Sequence, residues 1–521
     1  MSTEDGRRAA GSSNRLRARC LDLQTRDRPI AVLREDSPVV RAEGFAAHAR
    51  ILVESVRGQA IATLYPTRSE LLSTDQIGLS DAAWKALDVR DGDWVDVRHP
   101  PPLESMRSVR AKIRGHRFRP EDLDAVVRDV VAGRFDDIEL AMFLTTLAAI
   151  GLDDGELEAL TRAMVEVGER LDWAVPIRMD KHCIGGLPGN RTTPLVVAIV
   201  AANGLVIPKT SSRAITSPAG TADTMETLAP VNLDLGRIRR VVEAEGGCVV
   251  WGGAVRLSPA DDLMIRVARV MDLDPDAQLV ASVLSKKIAA GATHVVLDLP
   301  WGPTAKVTSE TQAMSLAARL TAVGHRFGLE LRCVLSDGRQ PVGRGIGPAL
   351  EAHDVLAVLN NRDHQPVDLR QRAVMLAGVL LEMGGRVRAG EGAGLAEQTL
   401  ASGAAWRKFQ AICEAQGGMR TPPVARWQHP VESARAGVVQ EIDNRRLARV
   451  AKLAGAPASP AAGVQLGVHL GDRVESGDPL MVIHAETPGE LEYALAYAMS
   501  NRDLIVVADE ANGRDVDRHP Q

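Results

Sequence analysis

The stretch from Asp180 to Thr193, DKHCIGGLPGNRTT, places a lysine, a histidine, three glycines and two threonines directly before an apolar run, Leu195–Ala202. Glycine lets a backbone approach an anion closely. The first turn of a following helix adds free N–H groups and the positive end of a dipole. A second stretch of the same make-up follows from Lys209 to Thr224, KTSSRAITSPAGTADT. Two such loops so close in sequence imply one site for a phosphorylated or phosphate-using substrate.

Lysine usage points to the same region. The chain has 62 basic residues, of which nine are lysines, and five of those nine (Lys181, Lys209, Lys286, Lys287 and Lys306) fall between 181 and 306. In a chain that otherwise uses arginine, these lysines mark places where a compact ammonium faces phosphate. The net charge of −5 and the 3% aromatic content argue against a nucleic-acid surface. The anion site is therefore a local positive focus in an acidic chain. The five cysteines, Cys20, Cys183, Cys248, Cys333 and Cys413, are scattered, with no CxxC and no metal-ligand spacing. They read as reduced thiols in a cytoplasmic protein with no metal site. The amino terminus lacks the apolar core of a signal peptide. The longest apolar run, Leu195–Ile207, is too short to span a bilayer.

The expected fold is multidomain α/β. Residues 1–14 are expected to be a disordered tail. Residues 15–100 form a β-rich domain, with β-type runs at Ala31–Leu33, Ala47–Val56 and Ala60–Tyr65 and an Asp91-Gly92 turn before Val97. Residues 101–180 carry helical periodicity and form a helical lobe. Residues 181–350 form an α/β lobe in which the apolar runs Leu195–Val200, Cys248–Val250, His294–Leu299 and Glu330–Val334 alternate with helices. Residues 351–409 return to helix and rejoin the helical lobe. An α+β domain follows over 410–521. Gly343, Gly345 and Gly347 are candidate hinge positions between the lobes.

These loops, with Cys248–Ala254, Ser258–Asp262 and Ala281–Lys287, occur in the order found in the thymidine phosphorylase family, which this chain resembles from about residue 15 to 510. That family belongs to the nucleoside phosphorylases and shares a fold with anthranilate phosphoribosyltransferase. The long amino-terminal domain and the wording of the second loop are most similar to the subgroup holding archaeal AMP phosphorylases and the bacterial proteins named for thymidine phosphorylase.

The resemblance implies phosphorolysis of an N-glycosidic bond: thymidine and phosphate giving thymine and 2-deoxyribose 1-phosphate, or alternatively AMP and phosphate giving adenine and ribose 1,5-bisphosphate. It assigns phosphate to Lys181, Thr193, Ser211 and Thr221. It assigns the nucleoside or nucleotide to Gly186, Ser212, Arg213, Ala214, Ile215, Thr216, Ser217, Thr221, Ser282 and Lys306. Asp274 is the implied proton donor, with His182 as its rival. No cofactor is implied, inorganic phosphate being a co-substrate, and the expected partners are a small-molecule nucleoside or nucleotide, phosphate, and further copies of the chain in a homodimer or higher homo-oligomer. Two departures stand out. Cys183 occupies a position where the family carries serine, and Arg266 is out of register with the arginine that reads thymine.

Overall fold

The structure is a computed structural model that describes residues 14–25, 28–189, 191–214, 217–273 and 275–509. The chain divides into two units: residues up to Arg110 together with Asp129–Glu139, and the remainder.

The first unit contains β1 (Arg15–Cys20), β2 (Ile30–Arg34), α1 (Pro38–Glu43), β3 (Arg50–Glu54), β4 (Gln59–Thr67), β5 (Gln76–Leu79), α2 (Asp81–Leu87) and β6 (Trp94–Arg98). The strands close into a barrel in the order β1-β5-β2-β4-β3-β6. Alternate residues, such as Leu16 and Ala18, Ile51 and Val53, Val95 and Val97, fill its interior, as the two-residue period of a strand requires. The runs named above in this segment miss β1, β5 and both short helices. In β1 the apolar alternation is carried by Leu16 and Ala18 between arginines, and β5 is only four residues long. Asn14 is tied in, its carbonyl accepting from Val97 N at 3.0 Å. The rest of the expected tail lies outside the described residues.

The chain passes between the units inside α3 (Ser105–Ile113), α4 (Pro120–Val131) and α5 (Asp137–Ala149), and α6 (Asp154–Glu166) follows. Helix α6 opens with a capping box between Asp153 and Glu156. Glu156 also receives Lys112 Nζ on both oxygens at 2.7 Å and Phe118 N at 2.7 Å. One buried carboxylate thus anchors the start of α6 to the end of α3.

The α/β lobe is built from β7 (Met179–Cys183), α7 (Thr192–Ala202), β8 (Ile207–Ser211), α8 (Thr221–Glu226), α9 (Leu235–Glu245), β9 (Gly247–Trp251), α10 (Pro259–Met271), α11 (Asp276–Ala289), β10 (His294–Trp301), α12 (Glu310–Arg326) and β11 (Glu330–Asp337). Strands β11, β10 and β7 pair in parallel, as do β8 and β9. A parallel bridge between Arg178 and Val206 joins the two sets. All five strands therefore point their carboxyl ends the same way, which is where open parallel sheets bind ligands.

The strand reading of Leu195–Val200 is overturned: these residues lie in α7. Every residue from Thr192 to Ala201 in that helix is buried, so no polar face betrays the helical period, and an unbroken apolar run is equally compatible with a buried strand.

The carboxyl-terminal part contains β12 (Gly345–Ile346), α13 (Pro348–Leu359), α14 (Val367–Met383), α15 (Gly392–Ala401), α16 (Ala404–Gln416), β13 (Trp427–Glu432), β14 (Gly437–Ile442), α17 (Asn444–Leu453), β15 (Gly463–Leu466), β16 (Arg473–Val474), β17 (Pro479–Ala485), α18 (Pro488–Ser500) and β18 (Ile505–Ala508). The segment 351–409 does not rejoin α4–α6. Helices α13–α16 pack around α7 in one core with Leu195, Ile199, Leu376, Leu380, Phe409 and Ile412. It is α10 and α11 that return to pack on α6. Helix α16 also runs past 409. The terminal sheet β12-β15-β17-β13 borrows β12 from before residue 351. The three glycines named as candidate hinges are closely packed in this structure. Gly345 pairs with Gln465, and a Cβ on it would sit 2.3 Å from the Leu350 backbone. Gly343 N donates to Asp368 at 2.8 Å.

Candidate active site

A cleft of about 230 Å³ opens at the carboxyl ends of β7, β8 and β9, walled on the far side by α10 and α11. Four of its lysines come from β7, β8 and α11, and the fifth, Lys306, follows β10; all five lysines singled out in the sequence line it. Lys181 is fully buried, and among the described residues its Nζ meets only neutral oxygens: Thr192 Oγ1 at 2.6 Å, Thr193 Oγ1 at 3.3 Å and the Gly189 carbonyl at 3.4 Å. Asp180, on the same strand, is 1% exposed and serves two ammoniums, Lys287 at 2.7 Å and Lys209 at 3.6 Å. Lys286 is paired with the buried Asp261 and lies 3.5 Å from Ser282 Oγ.

Two buried lysines on one carboxylate, with Lys181 buried beside them, leave a surplus of positive charge in a low-dielectric floor. Burial, outweighing attraction to Asp180 and joined by repulsion from Lys287, lowers the Lys209 pKa to about 7. Burial likewise depresses Lys181. Lys286 goes the other way, because Asp261 outweighs the effect of burial. Burial and then the four lysines push His182 well below the ordinary histidine range, so its imidazole is neutral near pH 7. The Cys183 thiol is pushed up to about 12 by burial and by Asp298, so it stays protonated on the loop floor.

Of the residues assigned from the sequence, Lys181, His182, Gly186, Thr193, Ser211, Ser212, Arg213, Ser217, Thr221, Ser282 and Lys306 all line this cleft. Ser211 Oγ donates to the Val250 carbonyl at 3.1 Å. Arg213 bridges Asp223 at 3.1 Å and Glu226 at 2.5 Å and stacks over Trp251 at 5.0 Å, so its charge is compensated. Ala214 is not among the lining residues; its amide donates to Asp223 at 2.6 Å and shapes the loop. Ile215, Thr216 and Asp274 lie outside the described residues. Arg266 is exposed on α10 and does not line the cleft, whereas Ile265 does.

The sequence reading missed Thr192, Asp180, Asp261 and Asp262. Asp180 carried a signal: a carboxylate inside a parallel strand, where both faces are ordinarily apolar. Asp262 lines the cleft beside Lys286, and burial raises its carboxyl above the ordinary range.

Three family models match in chain order. The helical bundle domain of the glycosyl transferase family covers residues 107–168, the a/b domain of the same family 176–406, and the pyrimidine nucleoside phosphorylase C-terminal domain 438–504. A protein of Chelativorans sp. named "Putative thymidine phosphorylase" is 59% identical, over 94% of this chain and 97% of its own length. The chain belongs to the thymidine phosphorylase family. A protein of Tolumonas auensis with the same name is 58% identical over equally large shares of both chains. Yeast anthranilate phosphoribosyltransferase, solved with PRPP and Mg, aligns with a TM-score of 0.50 at 16% identity, over 61% of this chain and 98% of its own. That likeness concerns the fold: a helical bundle beside an α/β lobe.

Membership makes this chain a pentosyltransferase of the thymidine phosphorylase type. A thymidine phosphorylase needs an anion cradle and a pocket for the departing base, and the cleft lining holds both polar and apolar side chains. Lys181, Lys209, Lys287, Thr193 and Thr221 are among the polar ones. Leu257, Ile265, Leu279, Val283 and Trp251 supply the apolar part. No helix among the described residues is long and apolar enough to cross a membrane.

Proposed function

We propose that the protein phosphorolyses thymidine, yielding thymine and 2-deoxyribose 1-phosphate, with inorganic phosphate as co-substrate and no metal or organic cofactor. One observation carries the reading: Lys181 is fully buried at the cleft floor with no carboxylate partner among the described residues, beside Lys209 and Lys287 sharing one. A buried cationic surplus of that kind is satisfied by an anion. A phosphate oxygen attacks the sugar anomeric carbon, the bond to the base nitrogen breaks with its electron pair, and the base takes a proton. The cradle holds the nucleophile in line while positive charge develops on the sugar. Asp274 holds the role of proton donor by family resemblance, with His182 as its rival, and Asp262 is a described carboxyl that also lines the cleft.

The test is phosphate-dependent release of thymine from thymidine by metal-free enzyme. Activity abolished by EDTA and restored by Mg²⁺ overturns the reading in favour of a phosphoribosyl transfer.

AMP is the second reading, supported by Lys306 in the cleft, a further ammonium on its lining. Against it, Arg213 and Lys286 already hold carboxylates. Turnover of AMP far above thymidine in the wild type, falling about tenfold or more in Lys306→Ala, establishes AMP instead, since about 1.4 kcal/mol separates a factor of ten.

A further inference from the structure

Arg191 is the largest fully buried side chain among the described residues, 0% exposed, at the residue preceding α7. It stands directly before Thr192 and Thr193, which receive the Lys181 ammonium, yet it does not line the cleft. A guanidinium keeps its charge in any protein environment, and a buried one is tolerated only with partners. Arg191 Nη2 donates to Glu351 Oε1 at 3.2 Å, and Nη1 lies 3.8 Å from Asp354 Oδ2. Among the described residues Nε and Nη1 have no hydrogen-bond partner. Gly343 makes room for it: a Cβ there would fall 3.1 Å from Arg191 Cδ.

The second oxygen of Glu351 continues the connection. Glu351 is 2% exposed, and its Oε2 accepts from Thr224 Oγ1 at 3.0 Å. Thr224 lies in α8, whose first residue, Thr221, lines the cleft. One end of this chain of contacts is thus two residues from Thr193, and the other is three residues from Thr221. These two threonines sit in the first turns of different helices, α7 and α8, each following one of the two loops. Asp354 adds a tether, its Oδ2 accepting from the amides of Arg344 at 2.8 Å and Gly345 at 2.7 Å.

We propose that Arg191 is a positioning residue that locks the two phosphate-facing loops into one geometry through the relay Arg191–Glu351–Thr224. The inference rests on the phosphate reading of the cleft. The relay acts on the cradle without touching phosphate: it fixes where Thr193 and Thr221 stand relative to Lys181. A purely structural cluster supports folding and leaves the affinity of folded molecules unchanged. A positioning relay sets that affinity.

The experiment measures equilibrium binding of inorganic phosphate by calorimetry to folded wild type and to Arg191→Lys, Thr224→Val, Glu351→Gln and Glu351→Leu, with the steady-state parameters of the nucleoside alongside. Glu351→Gln keeps an acceptor oxygen for Arg191 and turns an NH2 donor to the Thr224 hydroxyl oxygen, and is expected to stay within about threefold of wild type, whereas Glu351→Leu loses about tenfold or more. Thr224→Val, nearly isosteric and removing the far end of the relay together with the Thr224 hydroxyl contact to the Gly220 carbonyl at 3.2 Å, is expected to weaken phosphate about fivefold while the nucleoside KM moves less than about twofold. The double variant Arg191→Lys/Thr224→Val is expected to lose no more than the worse single variant, because both break one relay. Where Glu351→Leu does not fold, Thr224→Val decides. Wild type that binds phosphate, with Thr224→Val and Arg191→Lys binding it equally well, overturns the relay alone. Wild type that does not bind phosphate overturns the functional reading and the relay with it.

Discussion

Lys181 and Lys209 are two lysines in neighbouring strands with different electrostatics. Lys181 has hydroxyl and carbonyl partners only. Lys181→Ala is expected to lose charge-assisted contacts with phosphate worth about 1.5–3 kcal/mol, raising the phosphate KM at least about tenfold at unchanged folding. An unchanged phosphate KM would make the residue structural. Lys209 shares Asp180 and has its pKa lowered from 10.5 to about 7 by burial. Above pH 7 the unfolded chain keeps a proton that the folded chain has released, so this group favours the folded state increasingly as pH rises from 7 towards 10.5 and opposes folding below 7. A bound dianion reverses the preference. Phosphate binding at pH 8 is therefore expected to take up a proton, seen as a heat that differs between buffers of different ionisation enthalpy. Equal uptake in wild type and Lys209→Gln would assign the proton elsewhere.

At the scale of elements, the second loop depends on a glycine and the bundle on a buried ion pair. A Cβ at Gly220 would fall 2.6 Å from Ser212 O and from the Arg213 carbonyl carbon. Gly220→Ala is therefore expected to displace the loop and weaken phosphate about tenfold or more, whereas Gly186→Ala meets open space in the protein and acts only through the ligand. Similar kinetics for the two variants would show that the loop absorbs the extra carbon. In the bundle, Lys112→Met strands the Glu156 carboxylate at 4% exposure. The expected loss of stability is about 3–5 kcal/mol, read by denaturant unfolding, with kinetics per folded molecule unchanged. A loss within about 0.5 kcal/mol would mean that water and the amides of Phe118 and Asp153 satisfy Glu156 without Lys112.

For the whole molecule, the cationic floor makes phosphate a stabiliser. A ligand bound only by the folded state at a hundred times its Kd adds about 2.7 kcal/mol. Thermal unfolding is expected to move upward with phosphate concentration in the wild type, and to move at much higher concentrations in Lys181→Ala. A shift of equal size with sulfate, phosphate and chloride at matched ionic strength would reduce the effect to general screening.

Much of the site was legible from residue order alone, since glycine, hydroxyl and lysine in two short loops carry their chemistry locally. All five lysines from that argument line the cleft. The barrel strands β2, β3 and β4 were visible as short β-type runs between turns. What stayed hidden depends on partners distant in sequence. Whether Leu195–Val200 is helix or strand is decided by what surrounds it on every side, and a fully buried segment shows no polar face. That α10 and α11, rather than residues 351–409, return to the bundle follows from packing between apolar faces that any of these helices presents. Asp180, serving Lys209 and Lys287 across 29 and 107 positions, and Arg191, reaching Glu351 across 160, are charges whose partners no local pattern names. The chemistry of the loops was written in the sequence; the charge balance beneath them exists only once the sheet and helices bring those side chains within a few ångströms.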